Sequence, residues 1–524
     1  MGVKCALLAA LLGVAAMAAV RRPDGGIRSL LPWLAVAAWT SCGTFWSLDP
    51  VRTLWQSGLL GLAGFAVASR ETAIFGPRVA AGALVALALG EALSGAGSGR
   101  QAGILNNANH HAALLAAGAA FAAVLAASRP WRRSWWAVIL FAILLAAAGA
   151  TGSRSLLLSM PALFACLVLL RPAGFSAARC AVLAVLAVLL LAGTRELPQR
   201  LADQGRGREE LAWARRDLWT AALRVTRSAP LGGVGLGAFG DAWPAERPAM
   251  LVRYDADYAH SDPLQWLAET GAVGTGLALW LLACAWRRRP GRRGGDAAVV
   301  AGLLAALAVL GVHACVDFSF HVPALGFLAL GLVTGGGPGG APQRRPRVGW
   351  IARTVTSAVL PAIVGVMVLH SLSEVRYGKG SRMVLRGDTR AAVAAMRSAL
   401  TLNPWHAGAL QALAELQPES AAATGLALRA SRLRPRWIAA AGTQFRVALL
   451  HGDRATALSA LERAERADPR GFEPRLMRAT WLTVCGRLRE AANSLDVLER
   501  ERPADLDLWL ERARLAEARG RIGE

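Results

Sequence analysis

AHSDPLQWLAETGAVGTGLALWLLACAW, residues 259–286, joins a short titratable run to a long apolar one. His260 and Asp262 stop at Pro263, and a helix then opens with Leu264, Trp266, Leu267 and Ala268 and stays apolar as far as Trp286. About twenty such residues cross the hydrocarbon core of a bilayer as a helix. The histidine therefore stands where water meets a membrane span, and the fold turns on how many more such runs the chain holds.

The 524 residues are 54% apolar and only 18% charged, and the charges cluster between apolar runs. That pattern makes a polytopic membrane protein, an all-α bundle of about twelve spans. They are predicted near 5–20, 28–46, 54–69, 78–95, 111–128, 134–150, 155–170, 179–194, 264–286, 297–313, 318–334 and 350–371. Arginines recur at alternate connections: Arg21 and Arg22, Arg70 and Arg78, Arg129 with Arg132 and Arg133, Arg171 and Arg179, Arg287 to Arg293, and Arg344 to Arg347. Positive charge marks the cytoplasmic side. The N-terminus, 96–110, 151–154, 195–263, 313–321 and everything after 372 are then external. The first apolar run ends AAMAAV, like a cleavable signal, but cleavage would leave Arg21, Arg22 and Arg28 outside, so an uncleaved span is the better reading.

The formal charge of +23 is almost wholly arginine, since Lys4 and Lys379 are the only lysines, and it looks like a GC-rich genome rather than a nucleic-acid surface. The seven cysteines form no CxxC pair and mostly lie in spans, which suggests small apolar packers and neither a disulfide framework nor a zinc site.

Four segments follow: transmembrane helices over 1–194, an external loop over 195–263, further transmembrane helices over 264–372, and a different composition over 373–524. In the last, Asn403-Pro404, Arg434-Pro435, Asp468-Pro469 and Arg502-Pro503 recur at steps of 31, 34 and 34, with Gly452-Asp453, Gly486-Arg487 and Gly520-Arg521 between them. Helix, glycine turn, second helix and proline stop make a hairpin that resembles the tetratricopeptide repeat. Such hairpins bury their apolar faces only by stacking, so an α-solenoid with a concave surface is expected. That surface could take a glycan, a protein partner or the protein's own loop.

Polar groups concentrate at external span ends. GILNNANHHAALLA places Asn106, Asn107, Asn109, His110 and His111 before one span, and ATGSRSLLL places Arg154 at the start of another. An arginine at membrane depth needs a partner, a wet cavity or headgroups to snorkel to. In the long loop Arg215 and Arg216 open an amphipathic stretch that leads to PLGGVGLGAF. GGVGLG lacks the βαβ surroundings of a dinucleotide site, so its glycines read as close packing of the loop on the membrane surface. Arg253, Asp255, Asp257, His260, Asp262, Gln265 and Glu269 form a fourth group, where a histidine suits general-base work on a hydroxyl. His313, Asp317 and His321 have the spacing of one helical face and the chemistry of metal ligands, but Pro323 breaks the face, and no metal is assigned.

Taken in order, NNANHHAALLA, TGSRSLLL, ARRDLW, PLGGVGLGAF, AHSDPLQWLAETGAVG and HACVDFSFHVPA resemble the bacterial O-antigen ligase and polymerase superfamily, which includes O-linked protein oligosaccharyltransferases. The resemblance covers about residues 30 to 335, and His-x-Asp-x-Leu-Gln followed by Glu-Thr-Gly is its most specific part. Ser261 departs from the asparagine often found there. The resemblance implies a glycosyltransferase without cofactor or metal, moving a glycan from a polyprenyl diphosphate carrier to an acceptor hydroxyl at the external face of the inner membrane. It matches His260, Arg154 and Arg215 to the catalytic positions, with Arg216, Arg253, Asn109, Asp262 and Gln265 as substrate-binding residues. The competing class is a scaffold or transporter for polysaccharide assembly, but a transporter would bury its charges at mid-span.

Overall fold

The computed structural model describes residues 26–68, 77–94, 107–171, 174–194, 198–199, 202, 211–247, 256–287, 297–321 and 350–520, and every regular element among them is helical. The helices are α1 (Gly26–Cys42), α2 (Pro50–Ala68), α3 (Pro77–Ser94), α4 (Ala108–Ser128), α5 (Trp131–Ala150), α6 (Ser155–Leu170), α7 (Ala177–Gly193), α8 (Leu211–Ser228), α9 (Asp262–Arg287), α10 (Ala297–Val316) and α11 (Trp350–Leu385), besides short helical turns. All but α8 lie over predicted spans. The span expected at 5–20 and most of that at 318–334 fall outside the described residues. By length and composition α4, α5, α9 over Asp262–Cys284 and α10 suffice to cross a membrane, and α3, α6 and α7 are shorter apolar helices.

The alanine-rich helix α4 is the axis of the bundle. Its side chains are buried from His110 to Ser128 against α3, α5, α6, α7 and α10. Alanine and glycine let neighbouring backbones come close where lipid offers no hydrophobic drive for association. A Cβ on Gly118 would strike Ala88 and Leu144. The outer helices instead expose Trp135, Ile143, Leu169, Val185, Val188 and Leu189, apolar side chains that a lipid solvent accommodates and water does not.

Helix α9 is not continuous. At Gly271 the backbone turns to φ 67 and ψ −172, a region open only to glycine, and the helix resumes beyond it. The break strands carbonyls on one side and amides on the other, and each must find a partner. The glycine-rich stretch supplies them: Val234 N donates to Ala268 O at 3.1 Å and Gly235 N to Glu269 O at 3.0 Å, while Pro230 O accepts from Ala272 N at 2.8 Å. Glycine is required because a Cβ on Gly233 would meet the Glu269 backbone. The close packing expected of PLGGVGLGAF on the membrane surface is instead against a broken helix.

Helix α11 runs unbroken through 372–373, where composition changes. Beyond it come α12 (Thr389–Leu402), α13 (Ala407–Leu416), α14 (Ala423–Leu433), α15 (Ile438–Leu450), α16 (Arg454–Ala467), α17 (Phe472–Val484), α18 (Leu488–Glu501) and α19 (Leu506–Ala518), each packed on the next. Gly387, Gly452 and Gly486 share φ 75, and Asp388 and Asp453 cap the helices that follow. One turn design is therefore reused.

Gly271→Ala forces a Cβ into the Leu231 carbonyl and a glycine-only conformation. The expected cost is about 1–3 kcal/mol, seen as a lower thermal midpoint of the detergent-extracted protein; an unchanged midpoint would show the break to be unimportant.

Candidate active site

The helical run of α10 ends at Val316, and the next residue, Asp317, has a side chain only 1% exposed. A carboxylate so buried must be hydrogen-bonded and paired. His260 Nδ1 lies 3.1 Å from Oδ1, Asn109 Nδ2 donates to Oδ2 at 2.6 Å, and Arg215 Nη2 approaches Oδ2 at 3.5 Å. The Phe318 amide donates to Oδ1 at 2.9 Å. Burial alone would raise the carboxyl, but the His260 hydrogen bond and the Arg215 charge outweigh it and hold Asp317 down to about 2.

Each partner arrives for a local reason. His260 adopts φ 51, the left-handed region, just before α9 begins. Trp219 on α8 fixes that turn by donating Nε1 to the His260 carbonyl at 3.1 Å, and the Asp262 amide donates to the Asp317 carbonyl at 3.1 Å. Helix α8 thereby places Arg215 and the Trp219 anchor on the same approach. Asn107 caps α4, its side chain accepting from the Asn109 amide at 2.9 Å, which sets Asn109 in the first turn facing Asp317. Asn109 Oδ1 accepts in turn from Ser153 at 3.0 Å, and Ser153 pairs with Ser155 at 2.7 Å. Arg154 lies between those two serines, half-buried at the start of α6. A chain of contacts thus runs from His260 through Asp317 and Asn109 to the turn bearing Arg154.

A second layer supports the first. Asp262 accepts from the Phe320 amide at 2.7 Å and bonds the His321 ring. Glu269 faces the other ring nitrogen of His321 at 3.8 Å, accepts from the Gly237 amide at 2.7 Å, and takes a hydrogen bond from Gln265 at 2.9 Å. Burial opposes protonation of His321, yet the Asp262 hydrogen bond and the Glu269 charge prevail and push it up to about 9. Tyr258 stacks on Phe318 at 4.2 Å, His260 and His110 meet the same ring edge-on at 5.0 Å and 4.6 Å, and Arg52 donates to the Tyr258 hydroxyl at 3.3 Å.

The structure brings together His260, Arg215 and Asn109, with Arg154 adjacent. Asp262 and Gln265 are buried and engaged within the protein, whereas Arg216 is exposed on α8. Asn106, Arg253 and Asp255 lie outside the described residues. His313, Asp317 and His321 do not converge: His313 is fully buried with no hydrogen-bond partner for either ring nitrogen, and His321 turns to Asp262. Among the described residues no group of three or more His, Cys, Asp or Glu side chains could hold a metal ion. Asp317 as the hub, and Arg52 beside Tyr258, were not singled out for this site by sequence. The signal for Asp317 is present in HACVDFSFH, where the four-residue spacing raises a metal site that Pro323 argues against and leaves the carboxylate without an assigned role.

Fold and site together define a helical membrane protein with polar chemistry gathered at the ends of its spans. Residues 139–281 match the family model described as O-antigen ligase, a likeness that holds for that stretch of the chain. The match contains Arg154, Arg215, His260 and Glu269, while Asn109 and Asp317 flank it. No curated protein matches the chain.

The ring of His321 carries a stability signature with a definite sign. Its folded value of about 9 lies above the ordinary 6.5, so the contribution is fully present below 6.5 and is lost as pH rises through 9. The thermal midpoint of the wild type should fall between pH 7 and 9.5, roughly that window, and His321→Gln should flatten the fall; equal slopes in both proteins would remove His321 from the account.

Proposed function

We propose that the protein is a membrane glycosyltransferase that moves a glycan from a polyprenyl diphosphate carrier to an acceptor hydroxyl at the external face of the inner membrane. The observation that carries the proposal is the Asp317 carboxylate, which joins His260 and Arg215 at one point beside the Arg154 turn. With Nδ1 engaged by Asp317, Nε2 is the nitrogen left to the acceptor. It takes the hydroxyl proton as the oxygen attacks the anomeric carbon, and Asp317 stabilises the imidazolium that results. The bond from the anomeric carbon to the phosphate oxygen breaks, and the diphosphate leaves with the electron pair. Guanidinium groups suit that leaving group because they stay charged and bind phosphate oxygens in pairs, the role assigned to Arg154 and Arg215.

In this reading Asp262 and Gln265 position the site through His321 and Glu269, and Arg216 and Arg253 are left to substrate binding from the loop. The additional helices after 385 favour polysaccharide assembly or protein glycosylation over ligation to lipid A core.

The test is glycan profiling of a deletion strain complemented with wild type, His260→Ala, Arg154→Ala or Asp317→Asn at matched membrane levels. Loss of a general base typically costs about 10²–10⁴-fold and loss of one charge-stabilising donor about 10²–10³-fold, so lipid-linked glycan should accumulate and mature glycoconjugate should nearly vanish in each variant. Full product from all three variants would instead indicate a scaffold or transporter.

A further inference from the structure

The helices beyond 385 touch the site loop through charges that sit at equivalent places in successive repeats. Arg434 and Asp468 each precede a proline at the repeat step of 34 residues, in the turns after α14 and α16. Arg434 grips Asp241 with two hydrogen bonds, Nε to Oδ2 at 2.9 Å and Nη2 to Oδ1 at 2.6 Å, and its Nε is 3.3 Å from Asp49. Asp468 pairs with Arg247 at 3.1 Å, and Arg470 donates to the Arg247 carbonyl at 3.1 Å. Opposite charges on the repeats thus meet opposite charges on the loop, Asp241 and Arg247, in one register only. Asp241 is 3% exposed and Arg247 8%, so these are buried pairs.

The contact points lead directly to the site. Arg247 lies over the ring of Trp243 at 4.5 Å, and Trp243 is fully buried in a cluster with Leu218, Phe239, Ala259 and Ala268. Leu218 is one helical turn from Arg215, Ala259 precedes His260, and Ala268 accepts the loop amide at the α9 break. Removing one partner of a buried ion pair is costly because it leaves an uncompensated charge behind. Without Arg434, the Asp49 and Asp241 carboxylates would face each other with that counter-charge gone.

We propose that the repeat helices are a clasp on the site loop, with Arg434 and Asp468 acting as positioning residues that keep 234–247, and through it Arg215 and His260, in register. The proposal rests on the transferase reading only for its effect on turnover; the order of the loop is a separate observable.

Hydrogen–deuterium exchange of the full chain in lipid nanodiscs tests it, comparing wild type with Arg434→Ala, Arg434→Lys and Asp468→Ala, alongside product yield in the complemented deletion strain. Exchange over 234–247 should rise about ten-fold or more in both alanine variants while α4 and α10 stay protected, and product should fall in parallel. Arg434→Lys, which keeps the charge without the fork, should lie between. Unchanged exchange over 234–247 in both alanine variants would overturn the clasp, and so would raised exchange with full product. If the deletion strain makes full product with no plasmid, the transferase reading fails, and the exchange comparison alone decides whether the clasp exists.

Discussion

A carboxylate shut away from water has to find donors, and Asp317 finds them on three distant stretches of chain: His260 before α9, Asn109 in the first turn of α4 and Arg215 on α8. Such a group fixes geometry more than it adds stability, because desolvation consumes much of what the pairing returns. It ties together the ends of helices whose remaining contact is largely apolar packing, which is non-directional. The imidazole ring is aimed by this contact, and the neighbouring serine pair carries the same order to Arg154.

The broken helix α9 is the second constraint. A straight span would offer no free backbone groups, so PLGGVGLGAF would have nothing to bind. By turning at Gly271, the helix exposes carbonyls and amides that the loop satisfies, and Glu269 then anchors the Gly237 amide from the side. The protonated His321, between Asp262 and Glu269, holds the same region from the α10 side. Site residues on loops are thereby held by backbone hydrogen bonds and buried charge, the kind of rigidity that the proposed transfer would require.

Much of this was legible in sequence. Length and hydropathy placed the helices because the requirement to span a bilayer is strict, and His260, Arg154, Arg215 and Asn109 stood out as polar groups at apolar boundaries. Asp317 was weighed only as a metal ligand with His313 and His321 and set aside, and its role as hub stayed hidden because the chain leaves the helix after Val316 and sends the three in different directions. The break at Gly271 was hidden because Thr-Gly-Ala-Val-Gly reads equally well as continuous span. Arg434 looked like any helix-terminal arginine, since its partners Asp241 and Asp49 are far away in sequence and nothing local predicts the pairing.

The central claim is that Arg154 and Arg215, held beside His260 by the network around Asp317, receive the diphosphate of a lipid-linked donor. The most direct measurement is a cryo-EM structure of the full chain in nanodiscs with a non-hydrolysable polyprenyl diphosphate sugar. The account predicts diphosphate oxygens within about 3 Å of Arg154 or Arg215, with the anomeric carbon on the open side of His260 and Asp317 still on Nδ1. A donor bound elsewhere in the bundle, with His260 turned away from it, would contradict the account.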